Sequence, residues 1–148
     1  MATIPLPPDF KEFLKLLQDH KVRYLLIGGY AVGYHGYVRA TGDMDIWIER
    51  EKENAKKMVA VLEQFGFESS QLSSSQFMIP DQIVRMGVPP VRIEIMNTIS
   101  GVVFQECFEK KVIENWNGVT AYIISLTKLK ENKKASGRLK DLNDLEHL

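Results

Sequence analysis

The chain has 148 residues, and its 19 basic and 19 acidic side chains give it a formal net charge of zero. This length favours one domain, and a neutral chain has no general attraction for nucleic acid or an anionic membrane, so either contact would need a local basic patch. No stretch approaches the roughly 18 apolar residues of a membrane-spanning helix and no signal peptide is evident, so we expect a cytoplasmic protein without a membrane partner.

The first predicted helix follows Pro7-Pro8. Asp9 is its expected N-cap, and Glu12 three residues later would complete a capping box. Apolar residues then recur at helical spacing, which predicts that this helix covers a central sheet. These residues are Phe10, Phe13, Leu14 and Leu17.

A short apolar run from Val22 to Ile27 predicts a buried strand that ends at Gly28-Gly29. Glycines lack a Cβ atom, so the backbone can adopt left-handed conformations and another group, often a phosphate, can approach closely. If residues 30–37 are helical, their free N–H groups would add to this anion site. The alternative is a tight strand-to-helix turn that binds nothing.

Asp43 and Asp45 begin an apolar alternation that ends at Ile48, which predicts a second strand. Residues two apart on a strand point to the same face, with Cα atoms roughly 6.6 Å apart. Two such carboxylates suit one or two hard cations, and magnesium usually binds through one or two carboxylates together with substrate phosphates. The alternative is a solvated strand edge, but the preceding glycine turn favours the metal site.

Residues 51–65 have the pattern of a second amphipathic helix, and Gly66 is its expected end. A polar loop is predicted at residues 69–75. Two strands are predicted next, from Gln82 to Met86 and from Val91 to Met96, and we expect them to be adjacent and antiparallel.

Glu94 lies in the second of these strands, on the face opposite Ile93 and Ile95. A carboxylate in mid-strand is costly to bury without a partner. One interpretation is an exposed ion pair between Glu94 and Arg92. The other is a third carboxylate that lies beside Asp43 and Asp45.

The last third of the chain predicts a short helix within residues 101–110, with Val102, Val103 and Phe104 turned inward and the single cysteine, Cys107, in the core. Asn117-Gly118 predicts a two-residue hairpin between strands at 111–116 and 119–124. Between Lys128 and Lys140 there are six basic residues and one acidic residue. This run is either a positively charged functional patch or the solvated face of a helix.

The glycine pair together with Arg39, Thr41, Asp43 and Asp45 resembles the signature of the DNA polymerase beta-like nucleotidyltransferase superfamily. The whole run from Gly28 to Asp45 is similar to the minimal and AbiEii-like toxin–antitoxin nucleotidyltransferases. The resemblance implies a single α/β (α+β) domain of the nucleotidyltransferase fold, with a mixed central sheet flanked by helices. Many catalytic members carry Ser where Gly29 stands, although AbiEii-like variants often have Gly-Gly.

The resemblance also implies roles for individual residues. Asp43, Asp45 and Glu94 would be catalytic and would hold magnesium, with two ions expected. The basic run resembles the C-terminal signature of the AbiEii-like group, in which Asp141 would orient a basic neighbour. The implied nucleotide-binding residues are Gly28, Gly29, Arg39, Thr41, Lys133, Arg138 and Lys140.

These residues predict transfer of a nucleoside monophosphate from a nucleoside triphosphate, with ATP favoured, to a hydroxyl acceptor, with release of pyrophosphate. The acceptor stays open among a partner protein, an RNA such as tRNA, and a small molecule. Two other classes of function also stay open. One is a catalytically silent nucleotidyltransferase-like module of a toxin–antitoxin type pair, and the other is an RNA-binding protein that uses the basic C-terminal helix.

Overall fold

The computed structural model describes residues 6–67 and 72–148. The α-helices in this part of the chain are α1 (Pro8–Asp19), α2 (Gly28–Tyr34), α3 (Lys52–Phe65), α4 (Phe104–Glu109), α5 (Leu126–Ser136) and α6 (Leu139–Glu146). The strands are β1 (Tyr24–Ile27), β2 (Asp43–Ile48), β3 (Ile83–Met86), β4 (Arg92–Met96), β5 (Val112–Trp116) and β6 (Val119–Ile123). No helix among the described residues is long and apolar enough to cross a membrane.

The six strands form one mixed sheet in the order β3-β4-β2-β1-β6-β5. β2 pairs with β4, and β1 with β6, in parallel, whereas the other neighbours are antiparallel. Residues of β1 are buried throughout, as expected for a strand near the centre of a sheet. The predicted fold class, a mixed sheet flanked by helices, is confirmed.

Helix α1 packs against α3 and β6, and its predicted apolar face is buried as expected. Phe10 meets Tyr30 edge to face, and Phe13 meets Phe65 in the same way. The predicted capping box is wrong, because Pro7 is the N-cap and no side chain caps the helix. Asp9 lies instead inside the first turn, where its negative charge favours the helix dipole.

Helix α3 begins and ends where the sequence predicted. The carboxylate of Glu51 accepts hydrogen bonds from the backbone N–H groups of Glu53 and Asn54, at 2.8 and 2.9 Å. Gly66 ends the helix with a φ of 122°. The predicted polar loop at 69–75 is only partly described. Residues 69–71 lie outside the described ranges, whereas Ser74–Met78 is a 3₁₀ helix and not a loop.

The hairpin at Asn117-Gly118 is confirmed, and both residues have the positive φ that a tight two-residue turn requires, 54° and 91°. Cys107 is fully buried, as predicted, but Val103 is 60% exposed because it precedes α4 in an extended conformation. The basic run does not form one helix. Gly137 ends α5 in a left-handed conformation, and the chain starts again as α6.

Candidate active site

Three carboxylates lie on one face of neighbouring parallel strands. In the pairing of β2 with β4, Asp45 lies opposite Glu94, and Asp43 lies opposite Arg92. In the pairing of β3 with β4, Arg85 lies opposite Glu94. We call Asp43, Asp45, Glu94, Arg85 and Arg92 the strand cluster. Its layout follows from the alternation of side chains along each strand and from the register of the sheet.

Glycine at position 28 makes room for one of these carboxylates. A Cβ atom there would lie 2.0 Å from Oδ2 of Asp45, and the φ of Gly28 is 66°. A Cβ atom at Gly29 would lie 2.6 Å from Oγ1 of Thr41, whose hydroxyl donates to the backbone oxygen of Asp43 at 3.1 Å. The space above both glycines is therefore filled by the protein's own site residues. Their predicted role as phosphate ligands stays a prediction.

Asp45 is the least satisfied charge of the strand cluster. Its Oδ1 atom is buried and has no hydrogen-bond partner. Burial, a hydrogen bond with Glu94 and the negative charges of Glu94 and Asp43 raise the pKa of Asp45 to about 7, against a smaller opposing effect of Lys140. These surroundings favour the neutral form of the carboxyl group, whereas a cation bound beside Asp45 would favour its ionised form.

The other two carboxylates already have cationic partners. Arg92 donates two hydrogen bonds to Asp43, at 2.9 and 3.1 Å. Arg85 donates to Glu94 from the edge strand. The interpretation in which Glu94 pairs with Arg92 is therefore wrong, because the register places Arg92 opposite Asp43. Arg85 was missed, although its place in a predicted antiparallel strand could have indicated it.

A second group of charges lies on the C-terminal helices and the loop after α2. We call Arg39, Lys133, Arg138, Asp141 and Asp144 the helix cluster. Lys133 Nζ lies 2.8 Å from Asp141 and 3.1 Å from Asp144, and Arg39 donates two hydrogen bonds to Asp144 at 2.8 and 2.9 Å. Arg138 Nε lies 2.8 Å from Asp141.

The core of the helix cluster is almost fully buried. Lys133, Asp141 and Asp144 are 5%, 2% and 1% exposed. Asp144 is held there by Arg39, which lies far away in the sequence. Burial raises the pKa of Asp141, but hydrogen bonds from Lys133, Ser136 and Arg138 outweigh this effect and bring it to about 2.

A cavity of about 450 Å³ separates the two clusters. Nine of the ten predicted site residues line it, and they are Gly28, Gly29, Arg39, Asp43, Asp45, Glu94, Lys133, Arg138 and Lys140. Thr41 is the exception, since it lies against Gly29. The structure thus brings the predicted residues together around one space, and it adds Arg85, Asn132 and Ser136 to the lining.

The donor set of the strand cluster fits a hard cation. Three carboxylates offer only oxygen ligands, which magnesium prefers, and the buried Oδ1 of Asp45 lacks a partner. Among the described residues, no three acidic, histidine or cysteine side chains are already arranged to hold a metal ion. Asp43 and Glu94 are engaged by arginines, so both would have to exchange partners before they could act as ligands.

The fold has a counterpart among solved structures. The chain is similar to the crystal structure of a "putative nucleotidyltransferase" from Thermotoga maritima, with a TM-score of 0.65 and 16% sequence identity. The match covers 97% of this chain and 94% of that chain. No protein-family model and no curated protein matches the sequence. This likeness establishes the nucleotidyltransferase fold and does not distinguish the AbiEii-like group within it.

Proposed function

We propose that this protein is a metal-dependent nucleotidyltransferase that moves a nucleoside monophosphate from a nucleoside triphosphate to a hydroxyl group. The observation that carries this proposal is the juxtaposition of Asp43, Asp45 and Glu94 on the wall of a cavity that also contains lysine and arginine side chains. Carboxylates can hold magnesium, and the cations can hold phosphates. The fold shared with the Thermotoga maritima protein supports the same class of reaction.

The carboxylates of the strand cluster would hold magnesium, with Asp45 at the centre. When bound, magnesium neutralises charge on the entering and leaving oxygens of an in-line displacement. Glu94 would accept the proton of the acceptor hydroxyl. The hydroxyl oxygen then forms a bond to the α-phosphorus, the bond from this phosphorus to the bridging oxygen breaks, and pyrophosphate leaves with that electron pair.

The opposite wall of the cavity would bind the triphosphate. Lys140 is exposed, and its positive charge lowers the pKa of Asp45. It is therefore a cation that can bind a phosphate near the carboxylates. The side chain of Arg138 is 76% exposed and pairs with Asp141, whereas Lys133 is buried between two aspartates. We therefore assign phosphate binding first to Lys140 and Arg138. Lys133 and Arg39 would supply positive potential from within the buried network.

Several finer features belong to the same proposal. ATP is the favoured donor, and magnesium the favoured metal, with two ions expected. The sequence from Gly28 to Asp45 and the basic C-terminal run support an AbiEii-like protein of a toxin–antitoxin pair. Its acceptor would be a partner protein or an RNA such as tRNA, and the reaction would take place in the cytoplasm.

The direct test uses ATP labelled either at the α-phosphate or at the γ-phosphate, together with magnesium and separate pools of protein and RNA. Nucleotidyl transfer places the α label in the acceptor and leaves the γ label in pyrophosphate. An Asp43→Asn/Asp45→Asn variant should transfer neither label. Transfer of the γ label to the acceptor would instead identify a phosphotransferase and would contradict the proposal.

A catalytically silent binding module is the second candidate, and one observation favours it. Two of the three carboxylates are already neutralised by Arg85 and Arg92. A module of this kind would bind a nucleoside triphosphate without releasing pyrophosphate. Measurement of nucleotide binding and of pyrophosphate in the same samples distinguishes the two candidates.

A further inference from the structure

Two arginines of the strand cluster bind carboxylates that a metal ion would also need as ligands. Arg92 binds both oxygens of Asp43, and Arg85 binds Glu94. Each arginine is the cross-strand neighbour of the carboxylate it binds. The register of the sheet therefore brings each arginine next to its carboxylate, so these pairs follow from strand pairing and are not chance contacts at the surface.

The third carboxylate, Asp45, is not paired with either arginine. Asp45 takes part in no ion pair among the described residues, and its buried Oδ1 atom has no hydrogen-bond partner. The strand cluster thus holds three acidic groups and only two basic ones. This leaves a place for positive charge beside Asp45, between the two paired carboxylates.

We propose that Arg85 and Arg92 are built-in counter-ions of the metal site, and that their guanidinium groups leave Glu94 and Asp43 when a divalent cation binds. The inference rests on the proposed function, because it concerns the metal site assigned there. Without metal, the arginines limit the repulsion among the three carboxylates. With metal, the same carboxylates become available as ligands.

The two arginines differ in what they can do after release. Arg85 lines the cavity, and its side chain is 57% exposed, so its freed guanidinium can bind a phosphate oxygen of the triphosphate. Arg92 is not among the residues that line this cavity, and it acts only as a counter-ion. Metal binding and triphosphate binding are therefore coupled through Arg85, and each should strengthen the other.

The test is a calorimetric titration of Mn²⁺ into nucleotide-free protein, as a probe of the divalent cation site. Arg85→Gln and Arg92→Gln remove a competing charge and should each bind Mn²⁺ about tenfold more tightly than the wild type. Arg85→Lys keeps the charge and should stay close to the wild type. Arg50→Gln is the matched control, since Arg50 is exposed and lies outside the cavity lining.

A second titration, of ATP in the presence of magnesium, tests the phosphate role of Arg85. Here Arg85→Gln should bind about tenfold more weakly than the wild type, whereas Arg92→Gln should not lose affinity. The opposite signs of the two effects at Arg85 separate a counter-ion from a residue that only stabilises the fold. Both arginines are partly exposed, so the variants should fold, and circular dichroism checks this.

The outcomes also separate this inference from the proposed function. Mn²⁺ binding by the wild type with unchanged affinity in both glutamine variants would overturn the inference and leave the proposed function intact. Binding only by the glutamine variants would support the inference. Absence of Mn²⁺ binding in every form of the protein would overturn the inference together with the metal site of the proposed function.

Discussion

The two charged clusters on either side of the cavity are built in opposite ways. In the helix cluster, Lys133, Asp141 and Asp144 are almost fully buried, and each has an oppositely charged partner. In the strand cluster, Asp45 has a buried oxygen without a partner, and its pKa is raised to about 7. Every charged group of the helix cluster has an ion-pair partner, whereas Asp45 of the strand cluster has none among the described residues.

This difference indicates a different role for each cluster. A buried network in which every charge is paired fixes the geometry of its elements, and here it joins the loop after α2 to α5 and α6. A group of carboxylates that repel each other is costly unless a ligand relieves it, and such perturbed groups concentrate at functional sites. We therefore propose that the carboxylates of the strand cluster take part in the chemistry, and that the buried part of the helix cluster supports the fold.

The largest expected effect is on catalysis. Asp43→Asn/Asp45→Asn should reduce nucleotidyl transfer by at least about 10³-fold, because it removes the charges that we propose to hold the metal and to stabilise the transition state. The free energy of unfolding should not fall together with the activity, since the variant relieves repulsion among the carboxylates. Measurement of kcat/KM and of urea unfolding on the same samples checks both statements. An unfolded variant, or full activity, would contradict the assignment.

The next largest effect is on stability. Asp144→Asn should lower the free energy of unfolding by about 3 kcal/mol, because it removes a negative partner from the buried Lys133 and from the half-buried Arg39. Arg138→Gln is the control from the same cluster, and it should cost less than about 1 kcal/mol because Arg138 is exposed. Urea unfolding measures both. Equal losses would show that burial does not distinguish the two residues.

A smaller effect is expected at the contact between Gly28 and Asp45. Gly28→Ala should lower the free energy of unfolding by about 2–3 kcal/mol, because the new Cβ adds a clash to the cost of a positive φ. Gly137→Ala is a close control, since Gly137 has a φ of 67° and nothing within 4 Å of the position of a Cβ. It should cost about 1 kcal/mol.

A double variant isolates the clash. Adding Asp45→Ala to Gly28→Ala should recover part of the loss, whereas adding it to Gly137→Ala should not. If Gly28→Ala and Gly137→Ala were equally destabilising, the close packing of Asp45 on Gly28 would be refuted.

The last effect is the pH dependence of stability that Asp45 produces. Its pKa is about 7 in the folded protein and about 3.8 ordinarily, so the folded state binds more protons between these values. Without metal, stability should therefore fall as the pH rises from about 4 to about 7. Asp45→Asn should remove most of this fall. Parallel curves of unfolding free energy against pH for both proteins would contradict the prediction.

Local patterns in the sequence were enough to predict much of the fold. Strand β2, helix α3 and the hairpin at Asn117-Gly118 were all predictable because alternation, helical spacing and turn residues act over a few neighbouring positions. The grouping of Asp43, Asp45 and Glu94 came from the resemblance together with the strand alternation. The cavity confirms that these residues lie together, while their catalytic roles stay predictions.

What the sequence did not predict depends on contacts between distant residues. The pairing of Arg92 with Asp43 requires the register of two parallel strands, which no local pattern specifies. The burial of Lys133 requires Asp144, which is itself held by Arg39 from the other half of the chain. A basic run looks solvated in sequence, and only tertiary structure shows which of its charges are enclosed.

Thermal unfolding with magnesium and each of the four ribonucleoside triphosphates tests the central claim most directly, because it needs no acceptor. At a ligand concentration about one hundred times Kd, binding adds about 2.7 kcal/mol and should raise Tm by about 5–10 °C. We expect this shift in the wild type with at least one triphosphate, and its loss with EDTA or in the Asp43→Asn/Asp45→Asn variant. No shift with any triphosphate, or an equal shift in the variant, would contradict a metal-dependent nucleotide site at the strand cluster.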